Sequence, residues 1–123
     1  MSEENSLGTL VGGELDTVSF GRDYVELRID YSIVRALTDP SGTIDGVAWR
    51  FRDKGAADVM RRYIGRKVTD VEVTPDQRIL LTFDRDAWLE ISLRPEDVRR
   101  PEAAHFVPAQ ADGTPDIAAM WIW

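Results

Sequence analysis

The sequence predicts an α+β protein that is mostly antiparallel β-sheet. Several segments of five or six residues alternate apolar and polar side chains, which is the pattern of half-buried antiparallel strands. One stretch carries apolar residues at helical spacing. A similar order of glycine, strand and turn occurs twice. We therefore expect two three-stranded meanders, consistent with internal duplication, with one α-helix between them and a docked C-terminal strand.

The length and composition indicate one domain. The chain has 123 residues, of which 43% are hydrophobic, and this is enough for a single core. We divide it into a flexible N-terminus (residues 1–10), a first β unit (11–37), a helix (54–64), a second β unit (65–93) and a wrapping tail (94–123).

The repeat is visible at the start of each β unit. Residues 11–20 align without gaps with residues 64–73, so that Gly12 coincides with Gly65 and Val18 with Val71. Each copy continues with a turn that contains an aspartate and then with an alternating strand. If the duplication is real, the two units have the same strand order.

The strands that complete each unit follow from alternation and from turn residues. We predict strands at residues 24–29 and 33–37 in the first unit and at 78–83 and 88–93 in the second. Turns are predicted at 74–77 and 84–87, and a turn at 39–42 is expected to close the first unit. Alternation over residues 47–51 indicates a short additional strand.

The helix is predicted over residues 54–64. Asp53 is the predicted N-cap, and Gly65 is expected to end the helix. We expect Met60 and Tyr63 to be buried against the sheet. The apolar stripe consists of Ala56, Val59, Met60, Tyr63 and Ile64.

The chain ends in the apolar sequence AAMWIW, which is unusual for a terminus. In a strand, Trp121 and Trp123 share one face and Ile122 lies on the other. They can dock the tail on the core, or they can form an exposed interaction patch together with Met120. We predict the docked tail, with Trp121 and Trp123 substantially buried, and keep the interaction patch as the alternative.

The charge and composition exclude several functions. The net charge of −7 disfavours nucleic acid and anionic membranes as partners. The chain has no cysteine, which excludes disulfides and thiolate metal sites. No apolar run is long enough to cross a bilayer, and the N-terminus lacks the pattern of a signal peptide. We therefore expect a cytoplasmic protein.

Motifs for cofactors and catalysis are absent, so no cofactor is predicted. There is no glycine-rich phosphate loop, no nucleophile elbow and no paired-histidine zinc motif. His105 is the single histidine, and we predict that it is not a metal ligand. With Glu102 it forms an acid/base alternative, for which Asp112 and Asp116 are further candidate partners, and Glu26 with Asp30 is a second carboxylate pair, interpreted mainly as a solvated strand face. No catalytic residue is assigned.

Several segments together resemble small uncharacterised bacterial proteins, a domain of unknown function with two β-meander units and one helix. The resemblance covers most of the chain, and its motifs are structural. It implies the fold but no activity, so no site residues are transferred. It is carried by residues 12–20, 23–27, 64–68, 93–97, 101–103 and 121–123.

The leading functional hypothesis is a non-enzymatic protein-interaction or regulatory domain of a bacterial cytoplasmic protein. Some small acidic bacterial domains of this kind are immunity proteins against toxins, an analogy of class only. The expected partner is another protein or a second copy of the chain. One alternative is a small-ligand-binding domain that uses the interior of a curved sheet, and another is an enzyme centred on His105.

Overall fold

The computed structural model describes residues 3–99 and 101–123. Within them, the fold is α+β, with ten strands in two antiparallel sheets and one short α-helix. The strands are β1 (Leu15–Phe20), β2 (Val25–Ile29), β3 (Ser32–Ala36), β4 (Ser41–Ile44), β5 (Val47–Arg50), β6 (Val68–Thr74), β7 (Arg78–Phe83), β8 (Ala87–Ser92), β9 (Ala104–Val107) and β10 (Trp121–Ile122). The helix α1 is Ala56–Met60, and 3-10 helices span Glu3–Leu10, Arg61–Tyr63, Pro95–Asp97 and Ile117–Ala119.

The two predicted meanders are present, and each sheet is completed by the other half of the chain. The first sheet has the order β1-β2-β3-β9-β10 and the second sheet β6-β7-β8-β4-β5. Strands β4 and β5 follow the first meander but extend the second sheet, whereas β9 and β10 follow the second meander but extend the first. The two halves of the chain thus exchange their last two strands.

Both meanders also carry the same irregularity at the same place. The β1–β2 register shifts between Leu15 and Thr17, and the β6–β7 register shifts between Val68 and Asp70. These positions correspond in the sequence alignment of the two units. Because a bulge bends a strand at one defined position, its recurrence supports the interpretation as an internal duplication.

The two copies meet through reciprocal backbone hydrogen bonds. Gly12 N donates to Val68 O at 2.8 Å, and Gly65 N donates to Leu15 O at 2.8 Å. Each bond is the counterpart of the other under the alignment. The contact is therefore isologous, as in a symmetric dimer, although both sides belong to one chain.

The N-terminal segment contributes two leucines to the core. Leu7 and Leu10 are buried at 1% and 2% exposure, and the flexibility predicted for residues 1–10 stays a prediction. Both lie in the second half of the 3-10 helix Glu3–Leu10 and correspond by the repeat to Met60 and Tyr63. Residues 1 and 2 lie outside the described residues.

The helix is shorter than predicted. After Met60 the chain tightens into a 3-10 turn, and because such a turn has a different period, Ile64 leaves the apolar stripe and is 45% exposed. The prediction for Ile64 is therefore wrong. Met60 and Tyr63 are fully buried, as predicted.

Two further local predictions are corrected. The N-cap is Gly55 with φ 86°, without a side-chain cap, and not Asp53. The turn predicted at 39–42 is strand in its second half, because Ser41 and Gly42 begin β4. Residues 37–40 connect β3 to β4, and a separate turn at Asp45 and Gly46, both of which have positive φ, joins β4 to β5. The Asp-Gly pair is a typical hairpin signal that the sequence analysis missed.

The inward faces of both sheets and the helical segments form one hydrophobic core. Tyr63 lies inside it, with its ring edge-on to Trp49 and Phe83. Its hydroxyl accepts a hydrogen bond from Trp49 Nε1 at 2.8 Å and donates to the Trp88 carbonyl at 2.6 Å. Burial raises the pKa of Tyr63 well above its ordinary value of 10.0. Among the described residues, no helix is long and apolar enough to cross a membrane.

Candidate functional site

The C-terminal tail docks as a strand. In β10, Trp121 pairs with Phe106 and Ile122 pairs with His105 on β9. Trp123 continues this pairing, because its N–H donates to Ala104 O at 2.9 Å. The predicted docked C-terminal strand is therefore present as β10, whereas the prediction of irregular chain over residues 94–117 is wrong for β9, which joins the same sheet.

The tail tryptophans share one face, as alternation predicts. The rings of Trp121 and Trp123 are stacked with centroids 6.1 Å apart. Both are half-buried and pack against the core, whereas Ile122 on the opposite face is 48% exposed. Met120 is half-buried. The two tryptophans are thus anchored in the domain and also reach its surface.

The repeat explains why tryptophans stand at this terminus. Strand β10 occupies in the first sheet the edge position that β5 occupies in the second. Trp49 pairs with Gly42 in the second sheet as Trp121 pairs with Phe106 in the first. Trp121 is therefore the counterpart of a core aromatic residue.

The two counterparts are packed to different extents. Trp49 is only 7% exposed, and its indole N–H is bonded to the hydroxyl of Tyr63. At the position that corresponds to Tyr63, the first copy has Leu10, which offers no hydroxyl to an indole N–H. Trp121 remains half-buried. The edge of the first sheet is accordingly less enclosed than that of the second.

An apolar groove lies beside the last residue. It has a volume of about 470 Å³, and one of its walls is Trp123. The other apolar residues that line the groove are Pro75, Leu93, Pro95, Val98, Pro101 and Ala103.

A separate exposed apolar residue precedes the last strand. Ile117, in the short 3-10 helix before β10, is 63% exposed.

His105 belongs to a polar cluster on the outer face of the first sheet. Its Nδ1 lies 3.0 Å from Nη1 of Arg35, and its Nε2 lies 2.5 Å from Oε1 of Glu102. Arg35 also donates from Nε and Nη2 to Oε2 of Glu26, at 2.9 and 2.8 Å. The cluster links strands β2, β3 and β9 to the segment that precedes β9.

The partners of His105 determine its hydrogen-bonding roles. A guanidinium group can only donate, so Nδ1 must accept from Arg35, and Nε2 carries the proton that is donated to Glu102. The structure thus brings together the predicted pair His105 and Glu102. Both ring nitrogens are engaged within the protein, and a role in general-base catalysis would require one of these bonds to open.

Sequence reasoning did not find Arg35 as the third member of this cluster. Glu26 and Arg35 are paired across the β2–β3 hairpin, so opposite charges at matching positions of the hairpin were an available signal. The approach of His105 to Arg35 comes from the β3–β9 pairing. No pattern among neighbouring residues in the sequence predicts the pairing of β3 with β9.

The described residues contain no group of three or more histidine, cysteine, aspartate or glutamate side chains placed to hold a metal ion. That His105 is not a metal ligand stays a prediction.

Asp112 accepts hydrogen bonds from the hydroxyl and the N–H of Thr114, and these bonds lower the pKa of Asp112. This arrangement is a local turn.

The small-ligand alternative relied on space inside a curved sheet, and the inward side chains of both sheets pack there as the hydrophobic core. A polar hollow of about 230 Å³ lies instead on the outer face of the second sheet, lined in part by Ser41, Arg50 and Glu90. Its glutamate is already paired with Arg78 and Arg94. The lining of this hollow is mostly polar, and its charged side chains are partly neutralised by pairs within the protein.

Comparison with known proteins assigns no family. No protein-family model matches the chain, no curated protein matches it, and no solved structure matches it. The resemblance to small uncharacterised bacterial proteins therefore stays a prediction, and arguments about function depend on the geometry alone.

Proposed function

We propose that the chain is a non-enzymatic protein-interaction or regulatory domain of a bacterial cytoplasmic protein. Its binding surface is the tail surface, which we define as Ile117, Met120, Trp121, Ile122 and Trp123. The observation that carries the proposal is the exposure of Ile117 and Ile122 beside the half-buried tryptophan stack at one sheet edge, where Ile122 and the stack lie on opposite faces of β10. Apolar side chains left exposed at an ordered sheet edge are typical of surfaces that contact another protein.

The composition of the tail surface also supports a protein partner. Tryptophan and methionine are enriched in the cores of protein interfaces, and tryptophans often dominate the binding energy. Trp121 and Trp123 are held in place by the β9–β10 pairing, so little conformational entropy is lost when a partner covers them. The adjacent groove at Trp123 offers room for an apolar side chain of the partner.

The test uses a variant that changes the tail surface without changing the core. Ile117→Glu combined with Ile122→Glu places two charges on exposed positions. The control is Val11→Glu with Ile64→Glu, which adds the same charge at positions that are 50% and 45% exposed. Sedimentation velocity measures self-association, and quantitative affinity purification from the native host measures partner binding.

We expect the tail double variant to lose a partner, or the second copy, that the wild type and the control retain, at an unchanged melting temperature. The same association in all three proteins would contradict the proposal.

For the toxin-immunity class, we expect the wild type to restore growth when it is co-produced with the toxic product of a neighbouring gene, and the tail variant to fail to restore it.

A further inference from the structure

Strand β5 forms an open edge of the second sheet beside the start of α1. Between them lies a groove of about 250 Å³. Val47 is 38% exposed at this edge, and the helix contributes the half-buried Val59 and the buried Ala56. The edge strand and the helix thus leave a slot with apolar walls. We call it the β5–α1 groove.

The backbone of β5 offers hydrogen bonds to this groove. Phe51 N donates to Pro40 O at 2.8 Å, and in an antiparallel ladder only alternate residues are bonded to the same neighbour. The backbone N–H and C=O groups of Val47 and Trp49 therefore face β4. The backbone N–H and C=O of Ala48 and the N–H of Arg50 point to the open edge. The Arg50 carbonyl is bonded to Asp53 N.

Three of the usual protections of an edge strand, namely a bulge, proline and lysine, are missing from β5, which is four residues long and carries Arg50 as its one charged side chain. Edge strands are typically blocked by proline, by a bulge, by lysine or by short length. The β4–β5 ladder runs without a register shift over Val47–Arg50, and these residues include no proline or lysine. The corresponding edge of the first sheet, β10, has only two residues.

The charges at the rim favour an acidic partner. Among the described residues, neither Arg50 nor Lys54 makes a side-chain hydrogen bond or ion pair. Asp53 is the third charged group of the rim, which leaves one net positive charge. On a chain with a net charge of −7, this is a local exception, and at physiological ionic strength local charges dominate within about 8 Å.

We propose that the β5–α1 groove binds an extended acidic peptide of a protein partner, which adds to β5 as a sixth strand of the second sheet. Strand addition uses backbone hydrogen bonds for affinity and alternate side chains for specificity. The inward side chains of the peptide contact Val47, Ala56 and Val59. Its outward acidic side chains lie beside Arg50. This site is separate from the tail surface and does not depend on it.

The probe is a blocked hexapeptide of alternating glutamate and valine, and its matched control alternates lysine and valine. Binding is followed by amide chemical shifts of the ¹⁵N-labelled full-length protein and by hydrogen exchange. Ala48→Pro removes an N–H that the β4–β5 ladder does not use. Ala111→Pro is the matched control, because Ala111 is exposed and is the second residue of a turn in which Gly113 N donates to Gln110 O at 2.9 Å, a position that favours proline.

We expect the glutamate peptide to cause saturable shifts in residues 47–50 and 56–59 and to slow exchange at Ala48 and Arg50. Ala48→Pro should raise the Kd about tenfold or more through the lost hydrogen bond and the steric block, and Ala111→Pro should leave it unchanged. Shifts that avoid the groove, unchanged binding by Ala48→Pro, or equal binding of the two peptides would overturn the proposal.

Arg50→Glu keeps the test decisive if Ala48→Pro does not fold. This exposed substitution should weaken the glutamate peptide and strengthen the lysine peptide. An unchanged preference would overturn the charge assignment and with it the proposed partner. Because the tail surface is untouched, a failure here leaves the proposed function to its own experiment.

Discussion

The hydroxyl of Tyr63 is the most consequential single polar group that the structure reveals, and Tyr63→Phe tests it. The side chain is fully buried. Its oxygen accepts from Trp49 Nε1 at 2.8 Å, donates to Trp88 O at 2.6 Å and lies 3.2 Å from Thr43 O. These contacts tie α1 and its 3-10 extension to β4, β5 and β8. Phenylalanine keeps the ring and removes only the hydroxyl.

The expected loss follows from the groups left without partners. The substitution leaves the indole N–H of Trp49, which is 7% exposed, without a hydrogen-bond acceptor. It also removes the donor to the Trp88 carbonyl. A buried polar group without a partner costs about 1–3 kcal/mol. We therefore expect the free energy of unfolding to fall by about 2–5 kcal/mol, which is large beside a typical domain stability of about 5–15 kcal/mol.

Urea denaturation followed by circular dichroism measures this change, with the midpoint interpreted at an unchanged slope. Tyr31→Phe is the matched control, because it removes the same atom from a residue that is 62% exposed, and it should change stability by less than about 0.5 kcal/mol. An equal effect of the two substitutions would refute the reasoning. In a double-mutant cycle, Trp49→Phe and Tyr63→Phe should be non-additive.

Four further predictions follow from the same core and from the repeat. Because the pKa of Tyr63 is raised in the folded state, the unfolded state ionises first above pH 10.0. Stability should fall there by up to about 1.4 kcal/mol per pH unit, a component that Tyr63→Phe removes from urea titrations. Met60→Ala should cost about 2–5 kcal/mol by urea denaturation, and an unchanged midpoint would contradict its packing. Deletion of residues 119–123 should lower the melting temperature sharply, because it removes β10 and the tryptophan stack; unchanged melting would show that the tail does not stabilise the domain. Residues 1–54 and 55–123, produced separately, should be unfolded alone and fold on mixing, as measured by circular dichroism; a half that folds alone would contradict the strand exchange.

Much of the local structure could be predicted from the sequence because it depends on periodicity. Alternation of Val25, Leu27 and Ile29 identified β2 and its inward face, and helical spacing identified the burial of Met60 and Tyr63. The shared face of Trp121 and Trp123 followed from the period of a strand. These properties depend on the residue itself and its near neighbours.

The candidate sites were only partly predictable. The tail tryptophans were identified by composition, but their relation to β5 became visible only through the exchanged strands. The pair His105 and Glu102 was identified by proximity in sequence, whereas Arg35 joined it through the β3–β9 pairing. The β5–α1 groove was not found, because its open edge is defined by which strand lacks a neighbour.

The sequence by itself determined the fold class, the two meanders, the position of the helix and the shared face of the tail tryptophans. Only the tertiary structure decided that β4 and β5 join the second sheet and that β9 and β10 join the first. Alternation shows which side chains of a strand are buried, but both sheets offer an apolar inner face to any such strand. The choice between them depends on contacts between residues far apart in the chain, and these form only when both meanders pack around one core.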